Sequence, residues 1–286
     1  MASLKTIRKR ISSVKSTQKI TKAMKMVSAA KLRRAQEKAT EARPYAEKLT
    51  ELLQHVAGRV DASSHPLLQE RPEARSVDLL LVTADRGLCG GYNTNLIRRA
   101  EQFLQEYGAG RVRLTIVGRR GFDFFKRRNV NIADKHINLF GGPSAALAEQ
   151  LATQLSHQYA EGTSDGVFLL YSAFKSPLVQ TPTVEKLLPL TATGRDDTGA
   201  ADCIFEPTAA ELLDRLLRRY VAALILHGFL EAVASEQGAR MTAMDSATSN
   251  ASDMISRLTL EMNRARQASI TTELMEIIGG AEALKG

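Results

Sequence analysis

Apolar residues recur at alternating steps of three and four over both ends of the chain, and this pattern constrains the fold more than any other feature. From Leu4 to Val56 one register holds across about seven heptads. Only four polar residues interrupt it: Gln18, Thr21, Lys25 and Ser28. A 3.5-residue repeat of this length is typical of a coiled-coil seam. We therefore predict one long helix over residues 1–57, with a kink where Pro44 removes a backbone hydrogen bond.

The C-terminal stretch has its own start signal. Thr208 stands three residues before Glu211, and this spacing is that of a capping box. A second heptad register then runs on to Ala265. It includes His227, which we interpret as a packing residue rather than a metal ligand. We predict a second long helix over residues 207–286.

The two helices should form an antiparallel pair of unequal length, because the chain must leave and return at the same end. At about 1.5 Å per residue they measure about 80 and 110 Å, so Leu4 would lie opposite approximately Arg264. Beyond that point, apolar residues form a stripe at helical spacing: Ile270, Leu274, Ile277, Ile278 and Leu284. Gly279-Gly280 should weaken or end the helix. An unpaired amphipathic helix is marginal in water, so another molecule should cover this stripe.

Between the two helices, alternating strand and helix patterns predict a Rossmann-like α/β domain at residues 76–206, with a mostly parallel sheet. The predicted strands are residues 77–83, 112–118, 166–174 and 183–190, and the predicted helices are residues 93–107 and 144–160. Residues 58–75, which contain two prolines, are interpreted as a connecting loop. The predicted fold class is thus α/β with long helices: an antiparallel coiled coil of the terminal helices plus a central α/β domain.

The strongest candidate for a binding loop is the Gly-rich run at residues 85–93, which we call the Gly-rich turn. It contains Arg86, Gly87, Gly90 and Gly91 between a predicted strand and a predicted helix. It matches neither GxGxxG nor GxxxxGK[ST], and no lysine follows the glycines. Two interpretations stay open: a phosphate-binding loop, or a tight turn that needs positive φ and close backbone approach.

Composition and spacing argue against an enzyme. The chain has two cysteines and five histidines, and it shows no CxxC pair, no metal-ligand spacing and no Ser–His–Asp order. Cys89 lies near Arg86 in sequence but has no histidine nearby, so it is a poor candidate for a nucleophile. We expect no disulfide scaffold, no metal site, no catalytic residue and no cofactor.

The positive charge is concentrated near the N-terminus. Residues 1–60 carry 15 basic and 4 acidic side chains, whereas the net charge of the whole chain is +8. This segment could be a solvated helix face, an organellar targeting peptide, a surface for an acidic partner or a surface for nucleic-acid phosphates. The nucleic-acid interpretation is the weaker one, because Tyr45 is the only aromatic residue in this segment.

Three sequence stretches are specific enough to suggest a family. They are ITKAMKMVSAAKL at residues 20–32, DRGLCGGYN at residues 85–93 and RARQASITTE at residues 264–273. In this order and spacing, the chain resembles from end to end the gamma subunits of F-type, H+-transporting ATP synthases. The resemblance implies a non-catalytic central-stalk rotor, which couples rotation of a membrane c-ring to the conformational cycle of catalytic β subunits.

The resemblance also implies roles for particular residues. A catch that meets a β subunit is implied for Arg266, Gln267, Thr271 and Glu273. Contact between the shaft, meaning the two terminal helices, and β is implied for Met24 and Lys25, with Arg240 facing them. The apolar C-terminal stripe would be the apical bearing inside the catalytic head. The 76–206 domain would be the foot of the shaft.

The implied partners are α and β subunits, with one gamma chain per complex, the ε subunit and the c-ring. The chain lacks the inserted cysteine pair of light-regulated chloroplast gamma subunits, and Met1 to Leu4 are already in helical register. We therefore expect a bacterial type without a cleavable presequence. It would be peripheral on the cytoplasmic face of the inner membrane and reach the membrane only through the c-ring. The alternative is a basic coiled-coil adaptor that binds nucleic acid.

Overall fold

The computed structural model describes residues 4–57, 65–71, 75–139, 142–190 and 208–283. These residues form five helices and five strands in the order α1, β1, α2, β2, α3, β3, α4, β4, β5 and α5. The helices are α1 (Leu4–Ala57), α2 (Tyr92–Tyr107), α3 (Arg119–Phe125), α4 (Ala145–Ala160) and α5 (Ala209–Ala283). The strands are β1 (Val77–Val82), β2 (Val112–Val117), β3 (Asn131–His136), β4 (Gly166–Phe174) and β5 (Gln180–Leu188).

The two terminal helices are continuous over their described lengths. Helix α1 runs through Pro44. Helix α5 starts where the Oγ1 atom of Thr208 accepts a hydrogen bond from the backbone N–H of Glu211 at 3.3 Å, as the capping box predicted. Gly279-Gly280 does not end the second helix, because α5 continues to Ala283. That the two glycines weaken the helix stays a prediction. Much of the predicted connecting loop, residues 58–75, and the end of the predicted domain lie outside the described residues.

The chain divides into two compact units. The first comprises Met1–Val27 and Met241–Gly286, and the second comprises Ser28–Arg240.

In the first unit, α1 and α5 form an antiparallel pair. The predicted register would put Thr21 opposite Ala247, and its hydroxyl contacts that of Thr248, one residue further on. Ile7, Ile11 and Thr21 of the predicted seam are buried. The coiled coil predicted from the heptad repeat is therefore confirmed here, including a polar seam position.

The second unit is built around a five-stranded sheet with the strand order β3-β2-β1-β4-β5. Strands β1, β2, β3 and β4 pair in parallel, and β5 pairs with β4 in antiparallel orientation. Alternate residues of β1 point to opposite faces. Leu80 and Val82 pack with α1, α4 and α5, whereas Leu79 and Leu81 pack with α2 and α3. The predicted α/β class with a mostly parallel sheet is thus confirmed.

Sequence reasoning missed α3 and β3. Strand β3 is an edge strand whose residues alternate between exposed and half-buried. It includes Asp134, Lys135 and His136, so it lacks the apolar run that marks the central strands. Helix α3 has only seven residues, which is too short to show a clear helical period.

His227 packs edge-on against the ring of Tyr171, with 6.5 Å between the ring centroids, but its place in the predicted buried seam is wrong. His227 is exposed, and the fully buried residues in this part of α5 are Val221, Ile225 and Phe229, on a different face. The physical reason is that α5 covers one face of the sheet in this unit, so it buries a second stripe besides the one in heptad register. Among the described residues, no helix has a stretch that is both long enough and apolar enough to span a membrane.

Candidate functional site

The Gly-rich turn connects the carboxyl end of β1 to the start of α2. Its two positive-φ residues are Leu88, with φ of 62°, and Gly90, with φ of 56°. A Cβ atom on Gly87 would lie 2.7 Å from Nη2 of Arg120, which is the end of a flexible side chain that can move away. The positive φ expected of a glycine in this turn is present at Gly90, and Leu88 shares the same left-handed conformation. Close backbone approach at these glycines stays a prediction.

Two polar side chains of the turn accept hydrogen bonds from backbone N–H groups. The Asp85 carboxylate accepts hydrogen bonds from the N–H groups of Arg119 at 2.8 Å, Asn138 at 3.0 Å and Leu139 at 2.7 Å. These donors follow β2 and β3, so Asp85 ties together the carboxyl ends of three neighbouring strands. Asn93 accepts from the N–H of Ala84 at 3.0 Å. Both side chains are therefore engaged with backbone N–H groups that lie next to the turn.

Helix α5 holds the turn from the other side. Arg240 is buried, and its Nη2 atom lies 3.2 Å from the carbonyl oxygen of Gly87 and 3.4 Å from that of Arg86. Its Nη1 atom lies 2.6 Å from Oε1 of Glu236. The hydroxyl of Tyr92 donates to the carbonyl oxygen of Ala232 at 3.2 Å. These bonds fix the turn against one segment of α5.

The thiol of Cys89 is not poised for attack. Burial raises its pKa, which outweighs the lowering effect of the Arg240 charge, so the thiol stays protonated at neutral pH. Burial also raises the pKa of the neighbouring Tyr92, and its phenol acts as a hydrogen-bond donor. Both groups therefore serve packing and hydrogen bonding in this structure.

The structure brings Lys25 to Asp245 within the first unit, with 2.6 Å between Nζ and Oδ1. Met24 beside it is half-buried. Arg240 makes the contacts with the Gly-rich turn described above. The implied role of Met24, Lys25 and Arg240 at the surface of another subunit stays a prediction.

The residues implied as the catch are all exposed: Arg266, Gln267, Thr271 and Glu273. Thr271 donates its hydroxyl hydrogen bond to the carbonyl oxygen of Gln267 at 2.9 Å, and Glu273 accepts one from Ser269 at 3.1 Å. These bonds stay within α5, so the outward faces of the four residues are open for another molecule to bind. Their role as a catch stays a prediction.

The C-terminal stripe is exposed as well. The exposed fractions are 49% for Ile270, 53% for Leu274, 68% for Ile277 and 57% for Ile278. Leu284, the fifth predicted member, lies outside the described residues. Four large aliphatic side chains on one exposed helical segment are unusual for a surface that meets only water.

Sequence reasoning missed Glu231 and Ser235, which bind the end of β4 from α5. The sequence does contain a signal that this segment of α5 packs closely on another element. It is a set of small residues on one helical face: Gly228, Ala232, Ser235, Gly238 and Ala239. Small residues at such spacing allow close approach to a neighbouring element. The heptad analysis did not register them because they lie off the seam.

Comparison with known proteins gives a consistent result. A family model described as ATP synthase matches residues 3–284. The ATP synthase gamma chain of Geotalea uraniireducens is 50% identical over 289 residues, and that of Pelotomaculum thermopropionicum is 51% identical over 288 residues. In both cases the match covers 100% of this chain and 100% of the relative.

Two solved structures share the fold. A chain from the Euglena gracilis mitochondrial ATP synthase, in a structure of OSCP, F1 and c-ring, has a TM-score of 0.69 at 19% identity. That match covers 98% of this chain and 94% of the other. A chain from the central stalk and c-ring of the Tetrahymena thermophila mitochondrial ATP synthase has a TM-score of 0.61 at 24% identity. It covers 80% of this chain and 99% of the other.

Proposed function

The chain belongs to the family of ATP synthase gamma chains, and from this premise we propose how it works as the rotor of the central stalk. It is a component of the ATP synthase complex. Its paired terminal helices are the shaft, which turns with the c-ring and drives the catalytic β subunits through their conformational cycle. The observation that carries the proposal is the antiparallel helix pair in the first unit, with an exposed apolar segment of α5 at its C-terminal end.

The apolar segment supports a bearing inside the catalytic head. Ile270, Leu274, Ile277 and Ile278 offer contacts that are non-directional, so a sleeve of α and β subunits could cover them at every angle of rotation. Strong ion pairs would instead favour particular angles. The exposed catch residues, beginning at Arg266, lie on the same segment and would supply the angle-dependent contact with a β subunit.

The exposed basic residues along α1 support an acidic partner surface on the β subunits. Lys22, Lys31 and Arg34 are exposed. They would attract an acidic loop that passes within about one Debye length of them. Met24 and Lys25 lie within this part of α1. The same positive charge was the basis of the nucleic-acid alternative, which the full-length similarity to gamma chains does not support.

We also propose that the chain does no bond chemistry itself. Asp85 and Asn93 accept hydrogen bonds from backbone N–H groups next to the Gly-rich turn, and Arg240 binds carbonyl oxygens of the turn. Burial keeps the Cys89 thiol protonated. The second unit would be the foot that meets the ε subunit and the c-ring. This arrangement would place the chain peripherally at the cytoplasmic face of a bacterial inner membrane.

The test is reconstitution with the α, β and ε subunits, with ATP hydrolysis as the readout. The full-length chain should assemble a soluble ATPase. A truncation after Arg264 removes both the catch and the stripe, so a second variant is needed. Leu274→Gln/Ile277→Gln/Ile278→Gln keeps the helix and the catch but removes the apolar face, and it should lower the hydrolysis rate per assembled complex.

Glu276→Gln is the matched control, because Glu276 is an exposed polar residue on the same segment. It should hydrolyse ATP as the unmodified chain does. If the full-length chain fails to co-assemble and instead binds RNA with a steep salt dependence, the rotor proposal is wrong.

A further inference from the structure

One segment of α5 lies unusually close to the sheet. A Cβ atom on Gly228 would lie 2.5 Å from Cδ2 of Leu169, and one on Gly238 would lie 3.0 Å from Cε2 of Phe174. Leu169 is in β4 and Phe174 is its last residue. The two glycines, ten residues apart, therefore allow the backbone of α5 to approach β4 at both ends of this segment.

Between the two glycines, α5 makes hydrogen bonds to the backbone of β4. The buried hydroxyl of Ser235 donates to the carbonyl oxygen of Ser172 at 2.8 Å. The Oε2 atom of Glu231 accepts from the N–H of Phe174 at 2.7 Å. Glu231 and Ser235 are four residues apart, so they lie on the same face of the helix. At the end of β4, Ser235 thus acts as a hydrogen-bond donor and Glu231 as an acceptor.

The carboxylate of Glu231 lies next to residues of β4. Burial and the nearby carboxylates of Glu185 and Glu231 raise the pKa of Tyr171, a β4 residue. The phenol of Tyr171 donates to Glu185 of β5 at 3.2 Å. Glu231 therefore acts electrostatically on a residue of β4 as well as binding its backbone.

The same segment also holds the neighbouring strand. Beyond Ser235, the Arg240 side chain binds the carbonyl oxygens of the Gly-rich turn, which follows β1. Tyr92, at the start of α2, binds the Ala232 carbonyl oxygen. Helix α5 thus makes directional contacts at the carboxyl ends of both β1 and β4, two adjacent parallel strands of the sheet.

We propose that Glu231 and Ser235 are positioning residues for rotary coupling, which transmit torque between α5 and the α/β domain by anchoring the helix to the carboxyl end of β4. The inference rests on the proposed rotor function. It assigns a role to two residues that neither the sequence motifs nor the implied catch and bearing include.

The physical argument concerns direction. The apolar contacts of Val221, Ile225 and Phe229 hold α5 on the sheet, but the hydrophobic effect is non-directional and does not by itself fix the position of the helix along its axis. A hydrogen bond weakens steeply when its angle or distance changes, so it resists displacement along and around the helix axis. Without the two bonds to β4, the helix would stay on the sheet but shift more readily under load. The free energy needed to separate this segment of α5 from the end of β4 would be lower.

The experiment uses the full reconstituted ATP synthase in vesicles and measures ATP hydrolysis and ATP-driven proton pumping in the same preparation. The double variant Glu231→Ala/Ser235→Ala removes both side-chain contacts. The ratio of pumping to hydrolysis should fall, at most by about tenfold for each lost bond, because one buried hydrogen bond shifts the local opening equilibrium by no more than about that factor. Glu231→Gln keeps an acceptor oxygen for Phe174, so Glu231→Gln with native Ser235 should restore most of the ratio.

The matched control is Glu149→Ala/Ser252→Ala, which removes an exposed carboxylate and an exposed hydroxyl elsewhere. It should leave the ratio unchanged. A purely structural role for Glu231 and Ser235 would reduce the amount of assembled complex but not the ratio per complex. A second readout is the angular fluctuation of a bead fixed to the α/β domain in single complexes, which should widen only in the Glu231→Ala/Ser235→Ala variant.

The outcomes separate the two proposals. If the unmodified complex neither pumps nor rotates, the rotor function fails. If it pumps and the double variant keeps both the ratio and the fluctuation width, the inference about Glu231 and Ser235 is overturned. If the double variant does not assemble, Ser235→Ala is tested by itself, because it removes only one buried oxygen. It should still lower the ratio of pumping to hydrolysis, and an unchanged ratio would overturn the inference.

Discussion

The hydroxyl of Thr21 on α1 lies 2.8 Å from the hydroxyl of Thr248 on α5, within the buried seam of the antiparallel helix pair. Each hydroxyl also lies within hydrogen-bond distance of a carbonyl oxygen of its own helix, Gln18 at 3.1 Å and Met244 at 2.7 Å. A shift of either helix would break the contact between the two hydroxyls, although each would keep the carbonyl oxygen of its own helix, so the pair favours this register over its neighbours. This contact therefore helps to specify the register of the shaft.

Replacing one member of the pair should cost more than replacing both. Thr21→Val should lower the free energy of unfolding by about 1 kcal/mol, because it leaves the Thr248 hydroxyl with one partner fewer in the seam. Thr21→Val/Thr248→Val should be nearly neutral, since two apolar groups of the same shape then meet. A denaturant double-mutant cycle on the purified chain measures the difference. Thr40→Val, at an exposed site of α1, is the control and should change stability by no more than about 0.5 kcal/mol.

The second prediction concerns a buried ion pair in the sheet. Arg113 on β2 binds Asp78 on β1 with two hydrogen bonds, of 2.9 and 2.6 Å, and also binds Oε1 of Gln158 at 3.1 Å. Asp78 is 1% exposed. Asp78→Ala should lower the free energy of unfolding by about 3 kcal/mol, because it leaves the guanidinium largely buried without its counter-charge.

Thermal or denaturant unfolding of the purified chain measures this change. Glu106→Ala breaks the more exposed ion pair with Arg99 and is the matched comparison, with an expected cost of no more than about 1 kcal/mol. Equal effects of the two substitutions would contradict the argument from burial.

The third prediction concerns pH. Burial alone would raise the pKa of Asp165, but N–H bonds from Ser76 and Arg75, together with the Arg71 guanidinium, outweigh it and lower the pKa. Because the pKa in the folded chain is below the unfolded value of about 3.9, this carboxylate stabilises the fold above that pH. Its contribution is lost as pH falls through the lowered pKa.

Asp165→Asn should therefore destabilise the chain at pH 7 by about 1 kcal/mol. The difference from the unmodified chain should shrink steadily below about pH 4. Thermal unfolding as a function of pH is the measurement, with Asp253→Asn at an exposed position of α5 as the control. A difference that stays constant down to pH 2 would show that Asp165 does not act through its charge.

The fourth prediction concerns the Gly-rich turn. Asp85→Ala should lower the free energy of unfolding by about 2–3 kcal/mol, because three backbone N–H groups after β2 and β3 lose a charged acceptor. Asp85→Asn should cost less, since its remaining oxygen can still accept from Arg119 and Asn138. Hydrogen exchange of these backbone amides is the readout, and it should rise in Asp85→Ala more than in Asp85→Asn. Unchanged exchange in Asp85→Ala would mean that the carboxylate does not hold these strand ends.

The sequence by itself determined the elements whose residues repeat with a strong period. The heptads from Leu4 to Val56 predicted α1 and a register within one residue of the Thr21–Thr248 contact, and the apolar runs predicted the central strands. The capping box at Thr208 predicted the start of α5. These features are local, because each depends on side-chain spacing along one segment and on the face that the segment must bury.

Only the tertiary structure decided which groups meet across the fold. The short helix α3 and the polar edge strand β3 exist because they pack on or pair with neighbours, which their own composition does not reveal. The same holds for the second buried face of α5, where Gly228 and Gly238 admit the sheet and where Glu231 and Ser235 bind the end of β4. A periodic pattern records that a face is buried, whereas the partner of that face depends on contacts between residues far apart in sequence.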